Sequence, residues 1–203
     1  MTTPQRTALP PPGSFGLSRI GGLLGAAIAA GQAFSGDGSR FTHAFVVLDH
    51  GEVIEAMPGG ARIVSIADRL NHAEVVFCDA PVQRWVDESE DPRSGHPMSE
   101  DLRSWYDRMK RKQIVIAARE LEDTPYGYLQ YLALGLVALG FRPRWLKRHI
   151  ANRGHLICSQ LVDEVMRRAG IHLFDDDRLP QQVTPGDLDA YRVRHLERQE
   201  ATR

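Results

Sequence analysis

Cysteine is scarce in this chain: there are two in 203 residues, Cys78 and Cys158. That excludes a disulfide framework and makes a reducing compartment the simpler expectation. An excess of one charge is missing as well. The 25 basic residues meet 26 acidic ones, so no overall field draws the chain to nucleic acid, and none is expected as a partner. Long hydrophobic runs are lacking too. Residues 20–33 are short and rich in Gly and Ala, and 129–141 (LQYLALGLVALGF) is only thirteen residues, short of the roughly 20 that a bilayer needs. A buried helix is expected at 129–141, with peripheral membrane contact through that stretch as the alternative. The opening MTTPQRTALPPPG lacks the basic-then-apolar order of a secretory signal, and a cytoplasmic location is expected. Several catalytic signatures are absent. Without Gly-x-Ser-x-Gly, a serine α/β-hydrolase is disfavoured. Gly21–Gly25 lacks the Lys-Ser/Thr of a phosphate loop. Cys-x-x-Cys and His-Glu-x-x-His are missing, which leaves His43, His155 and Cys158 as a weak ligand set; no metal or cofactor is expected.

What is present suits one globular domain: 42% apolar and 25% charged residues, on a chain long enough for a sizeable core. Residues 1–16 read as a flexible Pro-rich tail, 17–195 as the domain and 196–203 as a C-terminal tail. Within the domain, 17–33 suggests a small-residue helix. FTHAFVVLDHGEVIEAM (41–57) has the composition of two strands around an Asp49-His50-Gly51 turn. Residues 61–66 extend the sheet, and 73–81 give another strand containing Cys78, whose small apolar side chain suits a core position. Ser99 followed by Glu100 and Asp101 starts a helix through about 121. Further helices are expected at about 128–139, at 155–170 with Gly170 as its stop, and at 184–191 behind Thr184 and Pro185. The sum is an α+β chain.

Chemistry gathers on three residues. Cys158 stands in the first turn of a helix whose apolar stripe is Ile157, Leu161, Val162, Val165 and Ala169. Free N–H groups and the positive end of the helix dipole favour a thiolate there, and a thiolate can attack a carbonyl. Such a nucleophile needs a base. Of eight histidines, His43 is the informative one, because it heads the apolar strand AFVVL. Glu55 is the third member. A three-residue turn would pair Phe45 with Glu55 and place His43, Phe45, Glu55 and Met57 on one face; a two-residue turn would send Glu55 to the other. Strand geometry leaves both registers open.

FTHAFVVLDHGEVIEA, followed much later by HLICSQLVDEVMRRAGI, resembles the NlpC-type papain-like cysteine hydrolases. The order, strand pair first and cysteine helix last, looks most like their circularly permuted branch, the YiiX-like amidases. The resemblance covers roughly residues 17–191. It implies a permuted papain-like fold, with an antiparallel sheet packed against the helix that carries the cysteine. It also implies roles for Cys158 as nucleophile, His43 as base and Glu55 as the orienting residue. The twelve-residue step from His43 to Glu55 is the family's, which favours the three-residue turn. ARELEDTPYGYLQY (118–131) resembles the family's helix ending in Pro-Tyr, which implies a place for Tyr126 at the substrate cleft. Ala44-Phe45 departs from the family's small apolar-Gly pair after the histidine. The implied activity is hydrolysis of an amide or related acyl bond, in a cell-wall-type peptide or a lipid-linked acyl group. A delivered, phage-type wall enzyme fits the same expectation. The alternative from another class is an inactive papain-like fold used as a binding or structural module.

Overall fold

A computed structural model describes residues 9–21, 39–57, 59–71, 74–79, 82, 97–125, 158–176 and 178–201. Five strands form one antiparallel sheet: β1 (Phe15–Ser18), β2 (His43–Val47), β3 (Glu52–Met57), β4 (Gly60–Ser65) and β5 (Val75–Cys78). Their spatial order is β4-β3-β2-β1-β5. The helices are α1 (Ile66–Leu70), α2 (Glu100–Arg119), α3 (Cys158–Arg168) and α4 (Pro185–Ala201). The described residues therefore have an α+β architecture, and none of their helices is long and apolar enough to cross a membrane.

The sheet divides the core because side chains alternate along each strand. One face carries Phe15, Leu17, Ala44, Val46, Ile54 and Ala56, all buried. Leu161, Val162, Val165 and Met166 of α3 belong to the same cluster, as do Ile114 and Ala118 of α2. Each of the larger side chains among them contributes about 1.5–3 kcal/mol on full burial. The opposite face holds a smaller cluster of Phe45, Val47, Val53 and Ile66, with Val64, Val75 and Phe77 packed against it.

One row on that second face runs across all five strands: Arg62, Glu55, Phe45, Gly16 and Phe77 are successive partners. Glycine is required in that row. A Cβ on Gly16 would lie 2.2 Å from Cζ of Phe45. The bare backbone lets the Phe45 ring lie over β1, edge-on to Phe77 with centroids 6.0 Å apart.

The β2–β3 hairpin takes the three-residue turn. Leu48 donates to the Glu52 carbonyl at 2.9 Å, and Asp49–Gly51 form a 3-10 turn with His50 (φ 57) and Gly51 (φ 72) left-handed. Arg119 at the end of α2 pairs with Asp49 and with Glu52 (2.7 Å), which ties the turn to the helix. Ser99 caps α2 as its sequence suggests. Gly170 ends α3 at φ 72, with Ile171 donating to the Met166 carbonyl at 2.9 Å, the Schellman closure.

Two expected boundaries are corrected. The tail does not reach residue 16: Gly13 donates to the Val47 carbonyl at 2.8 Å, Ser14 and Phe15 are buried, and β1 occupies Phe15–Ser18. Leu17 and Ser18 are thus strand, not the start of a helix. A four-residue strand flanked by Pro and Gly has too little alternation to stand out from the Gly/Ala-rich segment after it. At the other end, the helix expected over 184–191 continues to Ala201, through the supposed tail. Its later turns are solvated, with a Gln199–His195 side-chain contact at 3.0 Å on their surface, and no apolar stripe announces them. The stretch 22–33, the expected helix at 128–139 and the apolar run 129–141 lie outside the described residues, apart from the start of the small-residue segment.

Two outcomes follow from this packing. Gly16→Ala is expected to destabilise the protein by about 1–3 kcal/mol in denaturant unfolding, because the buried Phe45 ring has nowhere to move; Gly16→Ala combined with Phe45→Leu recovers part of the loss. Asp163 of α3 is 7% exposed, and burial raises its carboxyl from 3.8 to about 6. The folded state then binds this proton more tightly than the unfolded one, so stability falls as pH rises from about 4 through 6. Asp163→Asn should remove that slope and stabilise the protein at neutral pH by roughly 1–3 kcal/mol.

Candidate functional site

The candidate site lies where β2 begins. His43 is the first residue of that strand and Cys158 the first of α3. The helix packs on the Ala44–Val46 face, whereas His43 shares the face of Phe45 and Glu55. The two residues meet at the strand's end, where Cys158 Sγ lies 4.0 Å from the Thr42 carbonyl oxygen. There the thiol comes close enough to the imidazole to shift its ionisation, through hydrogen bonding and through charge.

Glu55 completes the chain of contacts. The observed register pairs Phe45 with Glu55, which brings Glu55 Oε2 within 2.8 Å of His43 Nε2. With Nε2 engaged by the carboxylate, Nδ1 is the ring nitrogen left for sulfur. All three side chains are enclosed: Cys158 and His43 are 1% exposed and Glu55 is 0%.

Electrostatics favours charge separation in this cluster. Burial alone works against an imidazolium at His43. Hydrogen bonds to Cys158 and Glu55, and the negative charge of both, outweigh it and raise the pKa from 6.5 to about 9. Glu55 moves the other way. Burial opposes its ionisation, but the hydrogen bond and charge of His43, then Arg69 and Arg62, hold its carboxyl below the usual range. A buried imidazolium beside the carboxylate is the protonation state this geometry supports at neutral pH, and it sets a proton donor next to the sulfur.

Two further residues belong to the site and are not legible as functional in the sequence. Arg62 lies directly across from Glu55 in the β3–β4 register and reaches its Oε1 through Nε at 3.1 Å and Nη2 at 3.0 Å. Arg69 of α1 reaches the same oxygen at 3.0 Å. A signal for Arg62 exists: Gly59-Gly60 after the Glu55 strand marks a turn, and pairing Met57 with Gly60 sets Arg62 opposite Glu55. For Arg69, at the far end of a five-residue helix, the sequence offers none.

The sequence-derived candidates are distributed as follows. Cys158, His43 and Glu55 are brought together. Tyr126 lies outside the described residues, as does His155. Among the described residues no group of three His, Cys, Asp or Glu side chains is arranged to hold a metal ion. Cys78 sits apart on β5, where burial and then the charge of Asp79 push its thiol up to about 12.

The two cysteines should therefore differ sharply. Iodoacetamide at neutral pH is expected to modify Cys158 and spare Cys78, as read by peptide mass spectrometry, and His43→Ala should slow the modification at least about tenfold by withdrawing the imidazolium. No protein-family model matches the chain, and no curated protein matches it in sequence.

Proposed function

We propose that the protein is a cysteine hydrolase that cleaves an amide or related acyl bond through an acyl-thioester on Cys158. The observation that carries this reading is the buried, continuous contact from Cys158 through His43 to Glu55. The order in the chain, with the β2–β3 hairpin ahead of the cysteine helix, supports a circularly permuted papain-like arrangement.

The chemistry follows from the protonation state. The Cys158 thiolate adds to the acyl carbon, and the carbonyl electrons move onto oxygen. Backbone N–H groups at this end of α3 would receive that oxyanion. As the tetrahedral adduct collapses, His43 gives its proton to the leaving nitrogen and the C–N bond breaks. Neutral His43 then takes a proton from water, which attacks the thioester; the acid departs and the thiolate–imidazolium pair is restored. Glu55 holds the ring in one tautomer and stabilises its positive charge throughout.

The substrate class proposed is a peptide amide, such as a cell-wall peptide, or a lipid-linked acyl group, with no role for nucleic acid. Cytoplasmic residence is proposed with it. One observation favours a second reading: with sulfur and imidazole each only 1% exposed, the same cluster would also serve an inactive binding or structural module.

Turnover of a mixed panel of peptide amides and acyl lipids separates the two. Hydrolysis that disappears in Cys158→Ala supports the enzyme, and panel turnover equal in Cys158→Ala and the unaltered protein overturns it. His43→Ala is expected to lower kcat/KM by about 100- to 10,000-fold. Because the raised His43 pKa is about 9, the proton donor is present below that pH and lost above it, so hydrolysis should decline as pH passes about 9.

A further inference from the structure

Glu55 holds more cation than an orienting carboxylate requires. Its Oε2 serves His43, and its Oε1 receives two guanidinium groups from two different elements. We propose that Arg62 and Arg69 are positioning residues for the Cys158–His43 pair, acting through Glu55 by clamping its outer oxygen and offsetting its charge. The inference rests on the proposed thiol chemistry and adds to it the groups that tune its proton donor.

Three observations carry it. First, with Oε1 gripped by both arginines, the carboxylate cannot turn away from the imidazole without breaking their contacts, so Oε2 stays on Nε2. Second, Arg69 is held in place at a cost. Its Nε is buried without a hydrogen-bond partner among the described residues, a state that native proteins rarely tolerate without compensation. Here the compensation is its contact with Glu55. Third, α1 is built to deliver that contact. Ser65 caps it, Ile66 anchors it in the core beneath the sheet, and Arg69 lies three residues on, along the same side as Ile66.

Charge sets the direction of the effect. His43 faces Cys158 of α3 and Glu55 of β3, while Glu55 faces Arg62 of β4 and Arg69 of α1. Each arginine cancels part of the negative potential that Glu55 exerts on the imidazole. Removing one leaves that potential stronger, so the imidazolium holds its proton to higher pH. Arg69, with 22% of its side chain exposed, should matter more than Arg62 at 51%, whose charge water screens better.

The test follows the His43 ring by NMR across pH in the full chain and needs no substrate. Arg69→Met is expected to move the His43 midpoint up by about half a pH unit or more, Arg62→Met by less, and Arg69→Lys to leave it near its original place. Cys158→Ala should move it down, since a hydrogen bond and a negative charge are lost. A midpoint that stays in place in Arg69→Met overturns the positioning role, a fall marks a carboxylate released from the imidazole and supports the clamp over the charge offset, and Arg62→Met decides the matter in the same way should Arg69→Met fail to fold. A midpoint unmoved by Cys158→Ala overturns instead the thiol–imidazole pairing on which the proposed function stands. A merely structural pair of arginines would change the unfolding midpoint and leave the ring titration alone.

Discussion

A carboxylate with no access to water governs this structure. Glu55 is fully enclosed, and an isolated charge in such a place would neutralise itself or unfold its surroundings. It is kept ionised because three cationic groups converge on its two oxygens, from β2, from β4 and from the helix after β4. Withdrawing one partner of a buried ion pair commonly costs about 3–5 kcal/mol, so the hairpin register, the β3–β4 pairing and the short helix are all bound to one another through this side chain. The protonated state of His43 is a by-product of the same arrangement.

The sheet separates the tasks of its two faces. Apolar packing against α3 and α2 fills one face and holds the cysteine helix in place, while the ionic row sits on the other. Only at the strand's first residue do the two meet. That explains how two cysteines with similar burial can differ in chemistry. Both belong to the same apolar cluster, but Cys78 has an acidic neighbour whereas Cys158 lies against an imidazole.

Much of this is legible in the residues, for identifiable reasons. The hairpin is, because Asp49-His50-Gly51 is turn chemistry between two apolar runs, and its three-residue length decides which face Glu55 takes. Helix limits are readable where caps mark them, at Ser99, Gly170 and Thr184, whose hydroxyl accepts from the Asp187 amide at 3.1 Å. β1 escapes notice because its four residues include Gly16, which reads as a breaker yet is needed as space for an aromatic ring. The extension of α4 is hidden because a solvated helix carries no apolar period. The meeting of Cys158 with His43 has no local signal at all and is foreshadowed only through resemblance; Arg69 has not even that.

The reactive groups are unequally spread along the chain. His43, Glu55, Arg62 and Arg69 come from one compact stretch, and the His43–Glu55 contact closes over just 12 positions, whereas sulfur is brought to the Thr42 backbone from 116 positions away. Contacts of short separation form early and distant ones late. During synthesis the residues of the acid–base half of the site therefore leave the ribosome well before the one that supplies its sulfur.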